Sequence, residues 1–407
     1  MENLDKQKKE LDETIAAAMI LAKYNNNFRH RFVRALDKFD SEIKIIATET
    51  KVQYPADLLI NEPIHSDPGN VQGIANKIKT YFMDHGVDVD IENCDVNAQI
   101  SRYSCFIHSA KEPVKVTKAE KDLLKLLKNN SVRIVKNSKT IDVEISNKTL
   151  GTVDFGELIN YKVTDLVDPL TYVVGKDMTN VYGSLTKANG IIISGGSASG
   201  KQATIRDIID SILYRNSRDD IEIDFLNLKY SDFEIYNKAP QVIMVADTPE
   251  LVAKTLDNLL ERMDICFDLL SKTKMKNIEE FNDSAYGDRK MRHTIIVIDE
   301  LAKLLEIDRK IEDKLIRILQ VGRAVGYHLI ICTGENDSIS VKLNANCMDK
   351  IILKDGLDKE ADKLIGLGDA FYDSVSGKEH VRRRVQIAFH SQGDTQKICE
   401  YLEANSK

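Results

Sequence analysis

The sequence predicts an α/β protein with a mostly parallel sheet, and three observations carry that expectation. A β-branched run beginning at Gly190 stops at Gly195-Gly196-Ser197-Ala198-Ser199-Gly200-Lys201-Gln202. Directly behind it Ile205, Ile208, Ile209, Ile212 and Leu213 recur at helical spacing. Downstream, the apolar run Thr294–Ile298 ends on Asp299-Glu300. From Pro169 onward such runs alternate with helical patterns, the order that builds parallel strands joined by crossover helices.

Composition narrows the function classes. A chain of 407 residues exceeds one compact core and suits two or three domains. The net charge of −7 argues against a general polyanion binder, although a ring can gather basic groups on one inner face. The six cysteines form no C-x-x-C pair, which disfavours zinc and suits the reduced thiols of a cytoplasmic protein. No apolar run is long enough to span a bilayer, so the expectation is a cytoplasmic chain with no membrane span of its own.

In chain order, residues 1–54 read as an N-terminal helical segment. Leu11, Ile15, Ala18, Met19 and Ala22 form one stripe and Phe28, Phe32, Leu36, Phe39 and Ile43 another. Pro55, Pro63, Pro68 and Gly69 punctuate the passage into a small α+β domain, residues 55–168. There a helix from Val71 stops at Gly86, and strands follow at about 87–91 and 99–108. Thr117-Lys118-Ala119-Glu120 has the form of a capping box, starting a helix with Leu123, Leu124, Leu126 and Leu127 inward. Strands at 132–135 and 140–145 close this part. Between Lys111 and Lys139 lie nine basic and three acidic residues, the most basic stretch of the chain.

The larger domain, residues 169–407, places strands at 190–194, 221–226, 294–300, 328–333, 350–353 and 384–389. Its helices follow the phosphate loop, span about 247–270, pass through Leu315, Ile318 and Leu319, and close the chain at about 395–402.

A strand, a glycine loop and a helix together make G-x-x-x-x-G-K a phosphate-binding loop rather than a coincidence of residues. Backbone N–H groups of Gly195, Gly196, Ser197, Ala198, Ser199 and Gly200 curl around an anion, and Lys201 reaches the β- and γ-phosphates of ATP. The position after the lysine, which should offer a hydroxyl to Mg²⁺, is Gln202. Asp299, at a strand end about a hundred residues on, suits Mg²⁺, and Glu300 suits polarisation of the attacking water. Thr333, ending the neighbouring strand, is placed to sense the γ-phosphate. Arg323, just before Gly326, is expected at the sheet's carboxyl end, offered to a neighbouring subunit's nucleotide. His328 reads as a packing residue.

Several blocks resemble the FtsK/SpoIIIE family of DNA translocases, from about Leu59 to the end of the chain. They are Ser131–Ile134 with Val143–Asn147, Asp168-Pro169-Leu170 with Val174–Asp177, the phosphate loop, Val297–Ala302, Gly322–Ile330, Leu364–Asp369 and Arg384–Phe389. The resemblance implies a small α-type domain followed by a RecA-like P-loop motor. It also implies a homo-oligomer, a hexamer, around double-stranded DNA, with Lys342, Asn344 and Asn346 where an inner DNA-gripping loop would lie. The family's membrane spans and C-terminal winged helix have no counterpart in this sequence. It departs from the family at Gln202, at Gly334 in place of the glutamine of a Thr-Gln sensor pair, and in a shortened stretch at 355–363. The reading is therefore an ATP-driven translocase of duplex DNA, serving a plasmid, conjugative element or phage. Its alternatives are a hydrolysis-deficient ring or adaptor that binds nucleotide and DNA, and a coupling ATPase delivering DNA to a secretion channel.

Overall fold

The computed structural model describes residue 59 and residues 64–110, 113–129, 131–136, 139–159, 168–228, 233–284, 290–334, 339–376 and 379–405. The chain divides into two compact units, 1–53 and 54–407. The two N-terminal helical stripes lie outside the described residues.

The first half of the larger unit is a four-stranded antiparallel sheet with two helices. Helix α1 (Val71–Asp84) is capped by the Asn70 side chain on Gly73 N–H, and the chain leaves it through Gly86 at φ +73°. Strands β1 (Val87–Val96), β2 (Ile100–Ala110), β3 (Val132–Lys136) and β4 (Thr140–Ser146) pair in the order β1-β2-β4-β3. Helix α2 (Val116–Leu127) lies between β2 and β3 in the chain. Ile78, Phe82, Val89, Tyr103, Leu123 and Val143 form the core that the two helices share with this sheet.

Two expectations fail in α2. Its N-cap is Lys115, with no side-chain cap, and Glu120 turns inward to accept the N–H of Ile134 at 3.0 Å. The reciprocal bonds of a capping box are therefore absent. Only Leu123 is fully buried, whereas Leu124 and Leu126 are 39% and 46% exposed. A helix on a sheet needs one narrow stripe, and Ala119 with Leu123 and half-buried Leu127 supplies it.

A short helix α3 (Phe155–Ile159) leads towards a ten-stranded sheet. Its strands are β5 (Thr171–Lys176), β6 (Asn180–Ser184), β7 (Gly190–Ser194), β8 (Ile221–Leu226), β9 (Val242–Ala246), β10 (His293–Ile298), β11 (Tyr327–Thr333), β12 (Asp349–Leu353), β13 (Asp369–Ser376) and β14 (Glu379–Ile387). They lie in the order β6-β5-β14-β13-β12-β7-β11-β10-β8-β9. The six strands from β12 to β9 are parallel, and the remaining four pair antiparallel. Strands β5, β6, β9 and β13 were not expected from the sequence.

Alternation along each strand separates the two cores. Ile191 and Ile193 face helix α4 (Lys201–Arg215) with Ile205, Ile208 and Ile212. Ile192, Ile296, Ile298 and Leu329 face the other layer. That layer contains α5 (Pro249–Thr273, capped by Thr248), α6 (Ile278–Asn282), α7 (Leu301–Ile307), α8 (Lys310–Val321) and α9 (Val341–Asn346). Helix α10 (Gln392–Asn405) packs beside α4. Between them is a buried polar cluster in which His390 bonds Asp207 at 2.8 Å and Asp210 at 2.6 Å. Thr395 also donates to Asp210, and Phe155 stacks on the imidazole at 4.3 Å. All six cysteines are free, as expected of reduced thiols. Among the described residues no helix is long and apolar enough to cross a membrane.

Candidate nucleotide site

Three adjacent parallel strands bring the site together at their carboxyl ends. Strand β7 runs into the glycine loop, β11 beside it ends at Thr333, and β10 beyond that ends one residue before Asp299. Ser194 pairs with Thr333, so the sensor position lies directly next to the start of the loop. Chain order alone could not show that β11 separates the loop from the acidic pair.

The loop itself is tightly built. A side chain at Gly195 would strike Leu353 and the Ser199 hydroxyl, and Gly200 takes φ +116° against the backbone of Gly368. Ala198 is also left-handed, at φ +57°. Gly196 N–H donates to Lys354 O at 2.8 Å, while Ser199 O accepts the N–H of Gly368 at 3.0 Å. By contrast, the N–H groups of Ser197, Ala198, Gly200, Lys201 and Gln202 donate to no protein acceptor among the described residues. The buried Ser199 hydroxyl also has no partner. Such a row of open donors at a helix N-terminus fits a phosphate chain. Lys201 Nζ donates to Gly195 O at 2.5 Å and Gly196 O at 2.7 Å, holding its charge against the rim of the loop.

Gln202 reaches across the site. Its Nε2 donates to Asp299 Oδ2 at 2.7 Å, while Asp299 Oδ1 accepts the N–H of Glu300 at 3.0 Å. Asp299 is 3% exposed. Burial raises its pKa, opposed by hydrogen bonds from Cys332 and Gln202, with the charge of Glu300 adding to the rise. Glu300 is the residue at the N-terminus of α7, left-handed at φ +54°, with its carboxylate paired to Lys303. Asp299 with the Gln202 amide oxygen is a donor set that fits a hard cation, which prefers oxygen.

The remaining expected residues do not join this group. Arg323 is exposed on a short 3₁₀ turn, Gly322–Val325, that enters β11 at its amino end. The expectation that it stands at the carboxyl end is corrected by the strand direction: Thr333 lies the length of β11 away, about 20 Å at 3.3 Å per residue. His328 is buried against His293, at 3.2 Å, and packs as expected. Lys342, Asn344 and Asn346 share α9, whose first turn is capped by Ser340 on Leu343 N–H. Lys342 is exposed. Asn344 borders a cleft of about 360 Å³ with Ile192, Lys350 and Lys359. Asn346 donates to Lys342 O at 2.8 Å and accepts from Asn189. Sequence reasoning missed Cys332, Lys354 and Gly368 as neighbours of the site. For Gly368 a signal existed in the paired glycines of Gly366-Leu367-Gly368.

The model of the FtsK/SpoIIIE family matches residues 158–341, a span running from before β5 through the phosphate loop and Thr333 to the start of α9. This segment is similar to the FtsK/SpoIIIE family. Over 404 aligned residues the chain is 25% identical to the DNA translocase FtsK of Oceanobacillus iheyensis, covering 92% of this chain and 51% of that protein. It is 24% identical to the DNA translocase SpoIIIE of Bacillus subtilis over 380 residues, 86% of this chain and 48% of that one. The chain thus spans about half the length of these FtsK/SpoIIIE relatives. Its fold is similar to that of the pCW3 conjugation coupling protein TcpA, in the monomer form with ATPγS. That match has a TM-score of 0.55 at 18% identity, over 81% of this chain and 99% of that one. The cytoplasmic domain of the type VII secretion ATPase EccC from Thermomonospora curvata is also similar, with a TM-score of 0.53 at 14% identity over 63% and 35% of the two chains. The larger sheet and its helices share the fold of these solved proteins.

Proposed function

We propose that this chain is an ATP-driven translocase of double-stranded DNA, working as a ring in the cytoplasm, with a hexamer as its assembly. The observation that carries the reading is the convergence of the phosphate loop, Asp299, Glu300 and Thr333 at three adjacent strand ends, inside a segment similar to the FtsK/SpoIIIE family.

In this reading Gly195 to Gly200 cradle the phosphates, with Lys201 released from Gly195 O and Gly196 O to contact them. Gln202 and Asp299 hold Mg²⁺, which supplies neutralisation of charge on the transferring phosphoryl group. Glu300 accepts a proton from the attacking water once its carboxylate leaves Lys303. Thr333 touches the γ-phosphate. Arg323, distant from its own site and exposed, serves only through another subunit. Lys342, Asn344 and Asn346 face the duplex.

A second reading, a ring that binds nucleotide and DNA without efficient hydrolysis, is favoured by one observation: Gln202 already occupies an oxygen of Asp299. The secretion-coupling alternative receives no separate support from a shared fold. ATP turnover by the purified protein with and without duplex DNA tests the proposal, with Lys201→Ala as control. Stimulated turnover lost in Lys201→Ala is the expected result. ATP binding without DNA-stimulated turnover would instead establish the second reading, and Lys201→Ala binding ATP as well as wild type would remove the site.

A further inference from the structure

Five of the nine basic residues in the most basic stretch of the sequence gather on one surface in the structure. Lys118, Lys121 and Lys125 stand at spacings of three and four residues, so they share one face of α2, and Lys128 follows at its C-cap, left-handed at φ +51°. That face points directly away from the stripe of Ala119 and Leu123, and all four lysines, with Lys115 at the N-cap, are exposed. None of the five makes an ion pair or side-chain hydrogen bond among the described residues. Some exposed lysines elsewhere find carboxylates, as in Lys79–Asp90 and Lys397–Asp394. Of the two acids of α2, Glu120 is turned inward and Asp122, at the edge of the lysine face, accepts the Tyr81 hydroxyl.

Helix electrostatics do not account for the arrangement. Lys125 and Lys128 lie at the C-terminus, where the macrodipole favours cations. Lys115 and Lys118 lie at the opposite end, where it disfavours them, and the first turn holds no acidic residue to compensate. Local stability alone would place the charges differently.

We propose that this lysine face is a second contact for duplex DNA, gripping the phosphate backbone on the small α+β sheet, separately from α9. The inference rests on duplex DNA being this chain's partner. From Lys118 to Lys128 is about 15 Å at the helical rise, enough to face about four phosphates of one strand at 3.4 Å of axis each. An anionic membrane is the less suited partner, because interfacial helices insert an apolar face beside their cations. Here the lysine stripe is uninterrupted, and Leu124 and Leu126 lie on its two separate flanks.

The test measures binding of the full chain to a fluorescent 40-base-pair duplex across a series of salt concentrations. The variant is Lys118→Gln/Lys121→Gln/Lys125→Gln/Lys128→Gln. Its control is a fourfold Lys→Gln variant at Lys254, Lys272, Lys290 and Lys310. Neutralising four phosphate contacts should make the log–log salt slope shallower by about 3–4 and weaken binding by about tenfold or more at 0.15 M salt. The control should keep the wild-type slope, and both variants should keep wild-type ATP affinity. An unchanged slope in the α2 variant while wild type binds DNA overturns this proposal and leaves the motor reading standing. No DNA binding by wild type overturns both. Vesicles of phosphatidylglycerol and phosphatidylcholine form the last arm: loss of vesicle binding with an unchanged DNA slope assigns the face to membranes and overturns the proposal.

Discussion

Replacing Gln202 with Thr separates two roles that one side chain fills. In the structure its amide donates to Asp299 Oδ2 at 2.7 Å, and the acceptor is a carboxylate only 3% exposed. A hydrogen bond to a charged group contributes about 1.5–3 kcal/mol. Thr is too short to span that gap, so the nucleotide-free variant should lose about that much stability. At about 2–4 °C per kcal/mol for a domain of 150–250 residues, melting should fall by roughly 3–12 °C in EDTA. Turnover should move the other way, because a hydroxyl suits the strict octahedral shell of Mg²⁺ better than a longer, mobile amide. Adding Mg²⁺ and ATP should also narrow the melting difference, since a cation then takes over the partnership with Asp299. The assay is scanning calorimetry in EDTA and in Mg²⁺·ATP, paired with DNA-stimulated phosphate release. A variant that melts with wild type in EDTA would refute the stabilising role of the hydrogen bond. Lower turnover in the variant would instead show Gln202 to be a fitted ligand of this site.

Two further outcomes concern buried charge. Asp224 is buried with Oδ2 unpartnered, and burial followed by the neighbouring charge of Glu222 pushes its carboxyl up to about 7. An acid raised in the folded state leaves stability intact below about 3.9 and erodes it as pH climbs to about 7, by roughly 2–4 kcal/mol. Asp224→Asn should flatten that window, and unfolding curves that stay parallel for both proteins between pH 4 and 8 would refute it. For His390, burial opposes charge, but the bonds to Asp207 and Asp210 prevail and push the imidazole up to about 10. Its contribution is complete below about 6.5 and fades as pH rises through about 10. His390→Ala strands two carboxylates and should cost about 3–5 kcal/mol at pH 7; a loss under about 1 kcal/mol would show that they are neutral without it.

Where a strand is buried on both faces, its sequence carries nearly all the information needed. Thr294–Ile298 is a nearly continuous apolar run, and Ile221–Leu226 alternates apolar residues with Glu222 and Asp224; both lie between parallel neighbours and were legible to within a residue. Strands β5 and β13 were not, because β5 offers only the short run Tyr172–Val174 before Gly175, and Asp373 and Ser374 break the pattern of β13. Their partners decide them: Tyr172 and Tyr372 both donate to the buried carboxylate of Asp349, a contact across 177 and 23 residues that no local window contains. The site divides in the same way. Asp299 and Thr333 lie at strand ends, Lys201 opens the helix behind the glycine loop, and all three follow from local pattern. The Gln202–Asp299 bond and the position of Arg323 depend on which strands are neighbours and which way they run.

The seam between the two sheets is made of directional bonds rather than apolar area, and that determines what it can specify. Arg384, 3% exposed, grips Asp369 through two nitrogens, at 3.0 and 2.7 Å, and Glu144 of β4 at 3.1 Å. Glu144 also takes Arg102 and Arg133, and the Arg133 guanidinium lies 4.7 Å from the ring centre of Phe371. Replacing such a buried network by apolar residues is often neutral or stabilising, so added stability is a weak explanation for it. Geometry is a stronger one, because forked guanidinium bonds hold only over a narrow range of orientations. The same seam extends to the phosphate loop. Gln99, in the bend just before β2 of the small sheet, and Gln386 of β14 both donate to Leu367 O, at 3.2 and 2.9 Å. The next residue, Gly368, donates its N–H to Ser199 O. Two hydrogen bonds therefore separate the small sheet from the loop that would hold a phosphate, and the buried charges fix the angle at which the sheet meets it.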